Sequence, residues 1–452
     1  MFRKQAPIDT DFTHGPLAKN IFFYTIPIFL SGVLQLLFNA ADTVVVGQYA
    51  GEEALAAVGS VGALNALLVC LFIGLSAGAN VLTARFTGAQ DEKSVQETVH
   101  TAVTVALIGG FLLTILGIVA VRPLLIMMGS PDDVLDLSVI YVRIIFMGMP
   151  IQMLYNFCSA ILRAVGDTKR PLYFLTLSGV INVVLNLLFV IVFKMSVSGV
   201  ALATVISQAV SAYLVVRALQ LRPDAVRLNL RKLRLNRHIL LKIVHIGLPS
   251  GIQSSTFALS NVLIQSSVNS FGAAAMAGNA AAASIGAFVS QGLESFTSSC
   301  TCFVSQNLGA KKPDRILRST MLCQLLGGAF TGVLATLSCI FAAELLSIYN
   351  TDPAVIGFGL ERLMTIHPFY VLGSIMSVFS GAIRGMGYSI LSMTLSLIGV
   401  CALRVVWVLG VFPLNPTMSC LMYSFVASWI LTGSLMTIFF VITYKKVKRT
   451  LG

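Results

Sequence analysis

The chain has 452 residues, 56% of them hydrophobic and only 11% charged, with a mean hydropathy of +0.88 and a net charge of +12. Soluble domains carry about a quarter charged residues, so the composition excludes a soluble domain and puts the chain in a bilayer. The excess of base does not indicate a nucleic-acid surface, because it sorts to one side of the expected membrane.

The first 20 residues are hydrophilic and contain no short apolar run ending in a small-residue cleavage site. No removable signal peptide is expected, and the first span should direct insertion. A span needs about 20 mostly apolar residues. Twelve segments qualify, at 21–47, 55–83, 95–121, 134–162, 171–193, 197–219, 239–269, 276–304, 316–343, 354–383, 388–412 and 417–444. The reading is an all-α integral membrane protein of twelve transmembrane helices in two six-helix lobes. Its parts are a cytoplasmic segment 1–20, a first lobe 21–221, a basic linker 222–238, a second lobe 239–444 and a tail 445–452. Spans near 30 residues must tilt, bend or protrude, and Pro27, Pro150, Pro249 and Pro368 are the expected places for bends.

The two lobes repeat one another. Pro27 has its counterpart in Pro249, and 249 − 27 = 222. Near that offset Asn39 falls on Asn261, Leu124-Leu125 on Leu345-Leu346, Arg163 on Arg384 and Gly166 on Gly387. Paired hydrophobic bundles are the usual plan of a secondary transporter, with a binding site between the repeats.

Counting Lys and Arg on alternate connections places 25 of 30 on the side of the termini. They include Arg3 and Lys4, eight residues from Arg217 to Lys242, and the Lys445 to Arg449 tail. Both termini are then cytoplasmic by the positive-inside rule, in a cytoplasmic (plasma) membrane. The opposite loops carry Glu52, Glu53, Asp132, Asp133 and Asp352. The basic linker is chiefly a topology determinant, with anionic lipid a secondary contact. Eight cysteines, singly placed apart from Cys300 and Cys302, form neither a metal-ligand cluster nor a disulfide framework. Gly74, Gly78, Gly109 and Gly110 read as close helix-packing positions.

Several strings together resemble the multidrug and toxic compound extrusion (MATE) family. Asn39-Ala-Ala-Asp42-Thr43-Val-Val-Val-Gly47 and Glu53-Ala-Leu-Ala-Ala-Val-Gly59 are similar to its Asp-Thr and Ala-Leu-Ala-Ala signatures. Arg163-Ala-Val-Gly166-Asp167-Thr168 and Gln306-Asn307-Leu-Gly309-Ala310 are similar to its turn motifs. The resemblance covers nearly the whole chain. It implies two lobes related by a pseudo-two-fold, a central cavity, and export of organic, often cationic, compounds in exchange for H⁺ or Na⁺.

Charged side chains at mid-membrane cost about 2.5 to 3.5 kcal/mol on insertion scales, so those retained usually face a cavity or a partner. Asp42 is the only carboxylate of the first-half spans that lies away from the first turn of its span, on one helical face with Gln35 and Asn39. The resemblance implies cation coupling there; the plainer alternative is a structural aspartate. Asn182 and Asn186 look like the family's Asn-x-x-x-Asp pair with the aspartate replaced by an amide, which can ligate Na⁺ but cannot take up a proton. Thr204 is similar to a family hydroxyl at the same site. Tyr141 either looks inward or anchors the interface. Asp42, Asn182 and Asn186, with Asn39 and Thr204, form the expected coupling site.

In the second half, the glutamate that one branch of the family carries in helix seven would fall near Phe257, and its helix-ten aspartate near Gly373, so neither carries over. Span seven instead presents Gln253, Asn261, Gln265 and Asn269 on one face, and span eight Gln291, Glu294 and Ser298. Arg404 stands at the repeat position of Asn182, since 404 − 182 = 222. Glu294 either pairs with Arg404 or stands free for a cationic substrate, and both remain open. Arg143 and Arg362 read as anchors near the outer interface.

The expected function is a monomeric H⁺- or Na⁺-coupled antiporter exporting amphipathic organic cations. No cofactor, resident metal or nucleic-acid partner is expected. One rival is a lipid-linked oligosaccharide flippase, which would need a more basic cavity than Arg404 alone supplies. The other is an intramembrane enzyme, for which the five scattered histidines give no constellation.

Overall fold

A computed structural model describes the backbone at 10–49, 51–127 and 132–451, with side chains throughout except at 52–68 and 132–133. Arg3 and Lys4, and the side chains of Glu52, Glu53, Asp132 and Asp133, lie outside the described residues. The chain is all-α, with no strand among the described residues.

The helices are α1 (Leu17–Tyr49), α2 (Glu52–Gly88), α3 (Glu92–Met127), α4 (Asp132–Met147), α5 (Met149–Ala164), α6 (Lys169–Leu187), α7 (Ser196–Gln220), α8 (Arg237–Asn269) and α9 (Ala273–Gly309). They continue as α10 (Pro313–Ile340), α11 (Ala342–Ser347), α12 (Pro353–Ile366), α13 (Tyr370–Gly385), α14 (Ser389–Ser396), α15 (Leu403–Val406) and α16 (Met418–Leu451). Among the described residues ten helical spans are long and apolar enough to cross a membrane, and the bent pair α4–α5 makes an eleventh. The segment that does not qualify is the expected seventh span. It is present as the 33-residue helix α8, but its run of Gln, Ser, Thr and Asn lowers its hydropathy. Its polar face is what both qualifies it for a site and disqualifies it as a plain lipid-facing span.

The four prolines divide into two kinds. Pro27 and Pro249 lie inside continuous helices. Pro150 starts α5 after a 46° bend from α4, and Pro368 sits in a 3₁₀ turn between α12 and α13. Proline removes the amide that would bond one turn back; the second pair interrupts the α-helix, and of these only Pro150 marks a span bent by 46°.

The sequence repeat recurs in the backbone. Gly51 and Gly272 have φ of 93° and 92°, Gly166 and Gly387 97° and 95°, and Gln90 and Lys311 both 56°. Each pair is separated by 221 residues, so the same left-handed turns close corresponding helices.

The chain forms two compact units, Met1–Thr10 with Leu30–Gly251, and Asp11–Phe29 with Ile252–Gly452. The boundaries fall one turn after Pro27 and Pro249. The first unit is therefore completed by the start of α8, and the second by the start of α1.

Within the first unit α2 and α8 approach backbone to backbone. A Cβ on Gly74 would lie 2.2 Å from the Gly251 nitrogen, and one on Gly78 2.4 Å from the Ile243 oxygen. A Cβ on Gly109 would meet the Phe72 ring at 2.5 Å, and one on Gly110 the Pro150 Cα at 2.4 Å. Lipid tails are as apolar as leucine, so helices gain association from such close packing rather than from hydrophobicity. The core of this unit runs from Val69 through Phe146, Met153 and Phe157 to Ile243. That of the second unit gathers Ile264, Leu293, Tyr370, Met422 and Trp429.

Candidate functional site

In the first unit α1, α6 and α7 bring four polar side chains into one chain of hydrogen bonds. Asn186 donates through Nδ2 to Asp42 Oδ1 at 2.5 Å and to Asn182 Oδ1 at 3.3 Å. Asn182 donates to Thr204 Oγ1 at 3.4 Å, and the Thr204 hydroxyl donates to the Val200 carbonyl at 3.0 Å. Asn182 and Asn186 face the same way because they are one helical turn apart. Asn186 is fully buried and its Oδ1 has no partner. Buried polar atoms nearly always have one, so this oxygen is poised to receive a proton donor or a cation. The helix goes over to π geometry just beyond, at Leu188–Val192.

Tyr141 lies close enough to Asp42 to feel its charge. Gln35 and Asn39 are exposed and, among the described residues, their side chains make no hydrogen bond. They share the face of Asp42 but are not tied into its network.

The second unit distributes the polar face of α8 among three tasks. Gln253 is buried and fully engaged: Nε2 donates to Ser380 Oγ at 3.3 Å and Ser396 Oγ at 2.7 Å, while Oε1 accepts from Arg384 at 3.0 Å. It braces α8 to α13 and α14 rather than standing free in a cavity. Gln265 accepts from Asn279 at 2.7 Å and donates to Asn269 at 3.0 Å. Asn261 accepts from Arg404 at 3.2 Å.

Glu294 does not pair with Arg404. The cation it feels is Arg384, which is too distant for a direct ion pair. The Glu294 side chain is solvent-accessible. Gln291, one turn earlier on α9, is half-buried and its side chain makes no hydrogen bond.

The MatE family profile matches residues 27–188 and 249–408, one match in each half of the chain. The chain belongs to the MatE family. The matches begin at Pro27 and Pro249, the residues on which the repeat was first aligned. This MatE transporter is 28% identical over 413 residues to the probable multidrug resistance protein YoeA of Bacillus subtilis, covering 90% of this chain and 89% of the relative. It is 25% identical to the FAD transporter of Shewanella oneidensis, covering 82% of each chain. Its fold matches an outward-facing multidrug resistance MATE transporter with a TM-score of 0.91 at 21% identity, covering 99% of this chain and all of the other. It is thus a multi-pass secondary transporter of a multidrug-efflux family, not an enzyme.

Sequence reasoning read Arg362 as an anchor near the outer interface, and the structure adds its partners. Arg362 lies within the second unit of the transporter, donating to the carbonyl and side-chain oxygens of Asn279 and facing the Phe425 ring. Asn279 and Phe425 escaped notice because each sits on a span whose composition is unremarkable. Arg384 was counted only as cytoplasmic base. Its alignment with Arg163 in the repeat was a signal that it occupies a structured helix end.

Proposed function

We propose that this MatE transporter is a cation-coupled antiporter that exports amphipathic organic compounds, organic cations among them, by alternating access with H⁺ or Na⁺. The observation that supports it is the Asp42 network, half-buried at Asp42 and closed by the buried Asn186 with its unpartnered oxygen. Ionised Asp42 accepts the Asn186 amide. A proton on Asp42 cancels the charge and turns a carboxyl oxygen into a donor, for which Asn186 Oδ1 is the waiting acceptor once its amide turns over. Na⁺ would instead draw on the carboxylate and on the amide and hydroxyl oxygens of Asn182, Asn186 and Thr204. Either event rewrites the bonds that join α1, α6 and α7, and so biases the unit toward a different arrangement. The driving force is about 1.36 kcal/mol per pH unit plus about 2.3 kcal/mol per charge per 100 mV.

The test is uptake of a panel of fluorescent organic cations by vesicles containing the purified protein, with pH and Na⁺ gradients imposed separately. One gradient should drive accumulation and the other should not. Equal, gradient-independent equilibration would remove antiport from the reading.

We also place both termini in the cytoplasm, on the 25-to-5 division of basic residues. Cysteines substituted at Arg231 and Lys446 should resist a membrane-impermeant maleimide in intact cells and react after lysis. Labelling of either from outside would overturn the twelve-span topology.

A further inference from the structure

We propose that the second unit holds a binding site for the anionic group of an amphipathic organic acid, built from Arg404 and Arg362 around the ring of Phe425. This goes beyond the coupling reading and shares no residue with the Asp42 network.

Arg404, on the short helix α15, is 4% exposed. Its Nη1 donates to Ser260 Oγ and Asn261 Oδ1 on α8, both at 3.2 Å. Its guanidinium carbon stands 4.0 Å from the centroid of the Phe425 ring on α16, and its Nε has no partner. Arg362, on α12, directs its Nη1 at Asn279 of α9 and has its guanidinium carbon 5.9 Å from the same ring. The two cations are near enough to repel.

No carboxylate answers them. Among the described residues neither arginine forms an ion pair. Glu361, the neighbour of Arg362 in sequence, commits Oε1 to the backbone nitrogen of Ser419 at 2.8 Å and to its hydroxyl at 2.5 Å. Buried charge is costly unless paired, and ionisable groups kept within a membrane-spanning unit without a partner usually serve a ligand. Neutral amide and hydroxyl oxygens and the face of one aromatic ring solvate the guanidinium groups, but they leave two positive charges unneutralised. A carboxylate, sulfonate or phosphate ester would supply the missing charge and accept the donor that Arg404 Nε leaves idle, in the planar geometry guanidinium favours.

The surroundings select an organic rather than an inorganic anion. Phe425 is half-buried and its ring lies 6.5 Å from that of Trp429, which in turn lies 5.1 Å from Tyr370. Tyr370 and Trp429 are buried, so the aromatic surface offered to the ligand's apolar part is that of Phe425, backed by these two rings. Asn261 is exposed and Arg362 half-buried, so the edge of the site is open to an incoming molecule.

The chain's two tryptophans are Trp407 and Trp429. One is three residues from Arg404 and the other belongs to the aromatic cluster, so intrinsic fluorescence reports on the site directly. Purified protein in detergent, without any gradient, should show a saturable fluorescence change with hexanesulfonate that depends on Arg404 and Arg362, whereas any change with hexyltrimethylammonium, which differs chiefly in the sign of its charge, should not be weakened in Arg404→Gln protein. Arg404→Gln and Arg362→Gln should each weaken hexanesulfonate by about ten-fold or more, the loss expected when one partner of a desolvated charge pair is removed. Asn261→Asp is the decisive variant. It keeps the shape of Asn261, sets a carboxylate against Arg404, and should fold with an unchanged or raised melting temperature while losing hexanesulfonate binding. Hexanesulfonate binding that is undiminished in folded Arg404→Gln and Arg362→Gln protein would show apolar partitioning only and overturn the proposal. So would undiminished hexanesulfonate binding by folded Asn261→Asp. Because binding is read at equilibrium, Asp42→Asn protein should give the wild-type result, which separates a failure here from a failure of the coupling reading.

Discussion

Asp42→Asn should yield a folded transporter that no longer exports against a gradient. For one-to-one exchange with protons, the wild-type protein can sustain up to about a ten-fold concentration ratio per pH unit. The variant should let the ratio relax to one. The asparagine retains an acceptor for the Asn186 amide now bonded at 2.5 Å, so the stability cost is confined to the charge-assisted part of that bond, about 1 to 2 kcal/mol. What disappears is the capacity to change charge, and nothing else in the network can replace it, since Asn182, Asn186 and Thr204 are neutral at any pH the cell provides. Equilibrium binding of substrate should survive, which distinguishes lost coupling from lost recognition. Asp42→Glu should keep part of the activity, and Asn186→Asp, which adds a second negative charge, should shift the preferred ion. The readout is accumulation in vesicles beside a melting curve for each variant. Undiminished gradient-driven export by folded Asp42→Asn protein would move coupling to another residue, with Glu294 the next candidate.

What could be read from the sequence is what depends on local spacing. The helices, their repeat and the left-handed turns at Gly51, Gly166 and their counterparts follow from hydropathy and from glycine placement. The grouping of Asn182 with Asn186 follows from a one-turn spacing on a single helix. Contacts between helices were harder. Glu294 and Arg404 were natural partners by charge, yet register and crossing geometry decide which charges meet. Those variables gave Glu294 the influence of Arg384, and gave Arg404 to Ser260, Asn261 and Phe425. Likewise, the polar face of α8 announced itself by period, but its division into the Gln253 brace and the Asn261 and Gln265 contacts depends on what α13, α14, α9 and α15 present to it. The crossing of α2 and α8 was legible only as a cluster of glycines, without its partner.

The charge difference between Glu294 and Arg384 should produce effects of opposite sign on cationic substrates. Glu294 is accessible and its side chain makes no hydrogen bond in the second unit, so Glu294→Gln removes a charge while leaving no buried partner unsatisfied. Its stability cost should be no more than about 1 kcal/mol. Its cost in recognition is larger. A unit charge several ångströms from a bound cation, at the effective dielectric of about 20 that suits protein sites, is worth on the order of 2 kcal/mol, so affinity for an organic cation should fall by about ten-fold or more. Arg384→Gln should do the reverse. Removing the positive charge that Glu294 now feels deepens the negative potential around its carboxylate and should tighten cation binding. It also takes a donor from Gln253 Oε1, so this variant alone should lower the melting temperature. Binding of one fluorescent cation to the two single variants and the double variant, each with its melting curve, measures both effects. If Glu294 serves the cation, Glu294→Gln weakens binding whether or not Arg384 is present. Should cation affinity stay at the wild-type value in folded Glu294→Gln protein, the carboxylate has no part in recognition.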